Sequence, residues 1–179
     1  AGAGGLVSAM IGAAVRAKVT LVERHRMGGD CLNTGCVPSK ALIKSARVLD
    51  QIRRAQDYGL QPASATFDFA DVMERVQRVI KTIEPHDSVE RFTAMGVECL
   101  KGEAKIVSPW AVEVTLADGE RRRLSTRAIV IAAGARPFVP PIPGLEAVGY
   151  LTSDTIWDLR DLPARLLVLG GGPIGCELA

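Results

Sequence analysis

Two glycine-rich segments, one at each end of the chain, constrain the fold more than anything else in the sequence. Near the C-terminus, Leu166-Leu167-Val168-Leu169 runs into Gly170-Gly171-Gly172-Pro173-Ile174-Gly175, a complete G-x-G-x-x-G behind an apolar run that reads as a strand. Glycines at these spacings allow a tight turn, close approach of backbone to a pyrophosphate, and close helix–strand packing. At the N-terminus, Ala1-Gly2-Ala3-Gly4-Gly5-Leu6 places Gly2 and Gly5 at the spacing of the second and third glycines of the same pattern. Leu6 to about Ala17 is then predicted helical, and its N-terminus would offer unpaired N–H groups to phosphate. Lys18–Val22 reads as a strand closed by Glu23, which follows Gly2 by 21 residues. That is the separation at which an acid accepts from ribose hydroxyls. The pattern predicts an α/β chain with two dinucleotide sites. The strand feeding the first site and most of the second domain are then expected to lie outside these 179 residues, in a longer protein.

Between the glycine segments lies a second constellation, Gly28-Gly29-Asp30-Cys31-Leu32-Asn33-Thr34-Gly35-Cys36-Val37-Pro38-Ser39-Lys40. Pro38 suits a first helical position, where its missing N–H has no partner to lose. Cys36 then sits at the positive end of a helix dipole with Lys40 one turn on, and both favour a thiolate. A disulfide between Cys31 and Cys36 would close a very short loop and add little stability by loop entropy. Such a pair suits exchange better than stapling. A zinc half-site or an inert disulfide are the alternatives that the spacing leaves open.

The composition narrows the classes further. A net charge of +2 gives no basis for nucleic-acid binding. Four cysteines, two of them in an exchange pattern, do not form a secreted disulfide framework, and a reducing cytosol is expected. No charged-then-apolar leader and no apolar run of about twenty residues is present, so a soluble chain is expected. Arg121-Arg122-Arg123 follows the turn signal Ala117-Asp118-Gly119-Glu120 and reads as a solvated hairpin arm.

Gly28–Lys40 closely resembles the active-site segment of the class I pyridine nucleotide-disulfide oxidoreductases, the flavin family of mercuric reductase, dihydrolipoyl dehydrogenase and glutathione reductase. Its pattern is G-G-T-C-x-N-x-G-C-[VI]-P-[SK]-K, and this chain departs from it at Asp30, where Thr is usual, and at Thr34, where Val is common. The resemblance runs from the first residue to the last. It implies a Rossmann-like FAD-binding domain over residues 1–142, three-layered, with a parallel sheet and a small antiparallel β-meander. Residues 143–179 would begin an NAD(P)-binding Rossmann domain, after the stiff proline-rich connection Pro137, Pro140, Pro141 and Pro143.

The same resemblance assigns residues. FAD would lie against Gly2, Gly5 and Glu23, against Gly29, Asp30 and Lys40, and along the backbone at Ala104, Ala133 and Gly134. In Arg127-Ala128-Ile129-Val130-Ile131-Ala132-Ala133-Gly134, which is similar to the family's strand ending in A-T-G, Ala133 replaces the threonine. NADH or NADPH would take Gly170, Gly172 and Gly175. Cys36 would be the thiolate facing the flavin and Cys31 the thiol that meets substrate. Glu177 would pair with Lys40 beside the flavin. The implied activity passes electrons from NAD(P)H through FAD to the Cys31–Cys36 disulfide, and on to a disulfide, dithiol or metal-ion substrate. No resident metal is implied. A homodimer is expected, because the family's His–Glu acid/base pair comes from the partner subunit and neither His25 nor His86 matches it. Ser39-Lys40 is closer to the dihydrolipoyl and mercuric types; Tyr150–Asp154 resembles the glutathione reductase connection. A catalytically incompetent FAD-binding piece and a redox-sensing flavoprotein are the alternatives.

Periodicity predicts the rest. Cys36 to about Tyr58 reads as one long helix, Gln61–Thr66 as a loop, and Phe69–Met95 as a second helix with an irregularity at Pro85. Gly96 stops it, and short β segments follow near Val97–Lys101, Ala104–Val107, Ala111–Leu116 and Arg122–Ser125. Cys99 alternates with apolar neighbours and reads as a buried thiol, with no reason to pair it with Cys176.

Overall fold

A computed structural model describes residues 1–179, and the chain packs as two compact units. Unit 1 comprises Ala1–Asn33 and Ile83–Ala135; unit 2 comprises Thr34–Thr82 and Arg136–Ala179.

Unit 1 begins with helix α1 (Ala3–Ala14), whose small residues let it pack closely, and strand β1 (Val19–Glu23). The helix starts three residues earlier and ends three earlier than the spacing predicts. Val15 closes it and Arg16 turns into left-handed conformation at φ 61°, so the chain reverses before Lys18. The short helix α2 (Gly29–Asn33) follows. Helix α5 (Val89–Ala94) is capped by Ser88, whose hydroxyl accepts from the Arg91 N–H at 3.2 Å.

Strand β2 (Val97–Ser108) is continuous where two short segments were predicted. Its first half pairs in parallel with β1, Val19 opposite Val97 through Glu23 opposite Lys101. Its second half pairs antiparallel with β3 (Ala111–Leu116), which pairs antiparallel with β4 (Arg121–Ser125). The result is a four-stranded mixed sheet in the order β1-β2-β3-β4, its parallel part a single pair and its antiparallel part the expected meander. The change of partner falls at Gly102, where a Cβ would overlap the Thr115 carbonyl oxygen. Leu6, Ala9, Leu21, Phe92 and Val97 form the core beneath the parallel pair.

Unit 2 is built on helix α3 (Cys36–Arg53) and helix α4 (Phe69–Ile83), whose last residue belongs to unit 1. Their apolar faces meet around Ala41, Met73 and Val76, with Trp157 in the same cluster. Arg75 laces α4 to α3, donating to the Ala41 carbonyl at 2.8 Å and to Ser45 Oγ at 3.2 Å. Two expectations are corrected here. The long helix stops at Arg53 and a separate 3-10 turn occupies Ala55–Tyr58. The helix from Phe69 breaks after Ile83 into a 3-10 turn carrying Pro85, because proline lacks the N–H needed to continue. The unit also holds the short helices α6 (Leu145–Val148) and α7 (Pro173–Leu178).

The largest correction concerns two apolar runs predicted as strands. Neither Arg127–Gly134 nor Leu166–Gly170 is in a sheet, and Val130, Ile131 and Leu167 are 67%, 76% and 89% exposed. An apolar run becomes a strand only where a neighbouring edge takes up its hydrogen bonds, and neither run meets one.

Candidate functional site

In unit 1 the first glycine segment and the loop before the cysteines are packed backbone to backbone. The Gly28 N–H donates to the Ala1 carbonyl at 2.9 Å. Gly29 has φ +53°, and a Cβ there would fall inside van der Waals contact of Gly2 Cα. Only glycine meets both demands. Gly5 is buried in the first turn of α1, facing Ala132 and Leu21. Glu23 ends β1 half-buried, and one of its carboxylate oxygens accepts from the His25 N–H at 2.7 Å. Asn33 ties the cysteine loop to itself, its amide donating to the Met27 and Gly29 carbonyls at 3.0 and 2.8 Å. Asp30 is exposed on α2, Cys31 is half-buried on the same helix, and Ala104, Ala133 and Gly134 are exposed.

These features suit a dinucleotide. The helix α1 N-terminus, the glycine contact that a single Cβ would fill, and an acid at the strand end are what the adenosine and pyrophosphate of FAD require.

In unit 2, Cys36 is the first residue of α3 and is exposed. The helix therefore begins two residues before Pro38, which stands third, still within the turn whose N–H groups have no helical partner. Cys31 belongs to unit 1 and Cys36 to unit 2. Lys40, one turn along α3, forms an ion pair with Glu177 of α7, and its ammonium also donates to Ser39 Oγ at 3.4 Å. The hydrogen bond from Lys40, followed by that from Ser39, holds the Glu177 carboxyl below its ordinary value. The structure thus joins the helix of Cys36 to the second glycine segment through two residues far apart in sequence. In that segment Gly170 has φ +116°, and a Cβ on Gly175 would overlap the Gly170 carbonyl oxygen. Gly172 caps α7 with Pro173 in its first turn.

Sequence reasoning passed over Trp157. It is 4% exposed, and its indole N–H is shared between the Thr34 carbonyl at 2.9 Å and the Ser153 carbonyl at 2.7 Å. Arg160 and Gln77 donate to its own carbonyl at 3.2 and 3.4 Å, and Arg160 also pairs with Glu74 at 3.0 Å. The one available signal was a tryptophan in a polar segment, since a buried indole needs an acceptor.

Cys99 is half-buried on β2, and burial raises its thiol pKa against a weaker opposing hydrogen bond with Thr93. No helix is long and apolar enough to cross a membrane.

Comparison with known proteins extends the picture. A family profile described as pyridine nucleotide-disulphide oxidoreductase matches residues 1–179. The dihydrolipoyl dehydrogenase of Chlorobaculum parvum is 38% identical over 99% of this chain and 38% of its own length. The mercuric reductase of Lysinibacillus sphaericus is 36% identical over 99% of this chain and 32% of its own. Among solved structures, the Cu(II) complex of RclA, an HOCl-induced flavoprotein disulfide reductase from Escherichia coli, aligns with a TM-score of 0.78 at 27% identity. It covers 99% of this chain and 36% of RclA. This chain therefore spans well under half the length of the relatives it matches. The fold is α/β and Rossmann-like, and the family uses FAD and NAD(P)H. The glycine segments, the cysteine loop and a match along the whole sequence together place this chain in the pyridine nucleotide-disulphide oxidoreductase family.

Proposed function

We propose that the protein to which this chain belongs is an FAD-dependent pyridine nucleotide:disulfide oxidoreductase, with residues 1–142 as its flavin domain and residues 143–179 as the start of its NAD(P)H domain. The observation that carries this reading is the Lys40–Glu177 ion pair, which ties the helix of Cys36 to the second nucleotide-type turn. When bound, FAD supplies two-electron transfer between nicotinamide and the cysteine pair.

The chain's own residues do the rest. Gly2, Gly5 and the N–H groups opening α1 receive the pyrophosphate, and Glu23 accepts from the ribose. Gly29 and Asp30 would hold the flavin end of the cofactor, with Ala104, Ala133 and Gly134 offering backbone. Gly170, Gly172 and Gly175 receive the nicotinamide nucleotide. Lys40, held by Glu177, would offer its ammonium to the flavin. For a disulfide substrate, the Cys31 thiolate attacks one sulfur and the other leaves as a thiolate. Cys36 then attacks Cys31 of the mixed disulfide, releasing the second product thiolate and restoring the Cys31–Cys36 bond. Two electrons have passed from the cysteine pair to the substrate.

Relatives named dihydrolipoyl dehydrogenase and mercuric reductase, with Ser39-Lys40 in the cysteine segment, support a dithiol/disulfide or metal-ion substrate. A homodimer in a reducing cytosol follows from the same reading. The test is anaerobic two-electron reduction of the intact flavin-loaded protein. A long-wavelength thiolate-to-flavin absorption that disappears in Cys36→Ser is expected. Direct bleaching of the flavin without it would overturn the redox role of the cysteines. Turnover by the intact protein but none by residues 1–179 would mark this chain, by itself, as the incompetent flavin-binding piece.

A further inference from the structure

Cys36 is exposed, yet the peptide leading into it is held from a buried position. Thr34 and Gly35 are the two residues before the sulfur, and Gly35 caps α3, its carbonyl accepting from the Ser39 N–H at 3.0 Å. The Thr34 carbonyl accepts from the indole of Trp157, 123 residues further along. Trp157 cannot swing away. It is packed against Ala41, Met73 and Val76, shares its N–H with the Ser153 carbonyl, and is gripped through its own carbonyl by Arg160 and Gln77. A donor on a carbonyl orients that peptide plane and polarises its N–H. The peptide concerned is Thr34–Gly35, whose N–H belongs to the set of orphan donors at the start of α3.

We propose that Trp157 is a positioning residue for Cys36: by holding the Thr34 carbonyl it aims the first peptide dipoles of α3 at the Cys36 sulfur and stabilises the reduced, thiolate form. This rests on the reading of Cys31 and Cys36 as a redox couple. A couple whose reduced form is stabilised is the more oxidising. Losing the indole N–H therefore makes the disulfide harder to reduce.

The experiment equilibrates the intact, flavin-loaded protein with dithiothreitol buffers of defined ratio. One protein disulfide plus one dithiothreitol gives two protein thiols plus the cyclic disulfide. Acid quenching, alkylation and peptide mapping then read Cys31 and Cys36. In Trp157→Phe, which keeps the ring and removes the N–H, the equilibrium constant is expected to favour the disulfide by about five- to tenfold, tenfold being close to 30 mV for a two-electron couple. Val76→Ala loosens the same cluster without touching the indole, and is expected to lower stability while leaving the midpoint in place. An unmoved midpoint in folded Trp157→Phe, or an equal shift in Val76→Ala, overturns the proposal. Should Trp157→Phe fail to fold, the double variant Arg160→Met with Gln77→Met, which releases the Trp157 carbonyl from both donors, is expected to shift the midpoint in the same direction by less; no shift there overturns it as well. A wild-type protein with no thiol–disulfide transition at all would overturn the redox reading itself, and the proposal with it.

Discussion

The two glycine segments carry nearly the same local message and reach different structural ends. Gly2–Gly5 opens a twelve-residue helix, is followed by a strand with a parallel partner, and touches Gly29 across a tight backbone contact. Gly170–Gly175 makes its turn and a six-residue helix, but the apolar run before it stays out of any sheet. The turn is local, set by φ values that glycine reaches without cost. The strand is not local, because its hydrogen bonds belong half to a neighbour. Glycine spacing therefore predicts a turn more safely than it predicts the strand in front of it.

That contrast can be broken most directly at the close backbone contact. Gly29→Val places a branched side chain at positive φ against Gly2 Cα, and is expected to cost about 3–4 kcal/mol, read as a fall in the urea midpoint. Gly175→Ala collides only with its own turn, so global stability should change far less, with the effect confined to amide exchange around α7. Equal losses from the two would show that the segments are held alike.

A second pair of substitutions compares leucines. Leu6 is 5% exposed in the core under β1 and β2, and Leu6→Ala is expected to cost about 3 kcal/mol. Leu167 is 89% exposed, and Leu167→Ala should stay within about 0.5 kcal/mol in residues 1–179. A large loss at Leu167 would mean that its run pairs after all.

The smallest effect belongs to the pair that joins α3 to α7. Glu177 is held below the ordinary carboxylate value of 4.5 by Lys40 and then Ser39. A depressed carboxyl contributes stability that is in place above its ordinary pKa and is lost as pH falls through its lower folded value. An NMR titration of the Glu177 carboxyl should therefore lie below 4.5 and return most of the way in Lys40→Met, with Ser39 retaining part of the shift. Both side chains are well exposed, so thermal stability near neutral pH should hardly move.

Much of the local structure was legible in the residues. Gly28–Lys40 announced a cysteine-bearing loop entering a helix, and the spacing from Gly2 to Glu23 announced a helix, a strand and an acid at its end. These are short-range patterns, written in φ preferences, capping and periodicity, and chain connectivity alone enforces them. Other features depended on residues distant in sequence. The β2 strand runs through where two segments were predicted because β1 and β3 each take half of it. Trp157 reaches Thr34, and Lys40 reaches Glu177, across more than a hundred residues. The sequence alone determined which residues could carry redox chemistry and which turns could receive phosphate. Only tertiary structure decided which apolar runs became strands and which distant side chains hold the cysteine helix, because ladder hydrogen bonds and buried donors are satisfied by partners that no local pattern names.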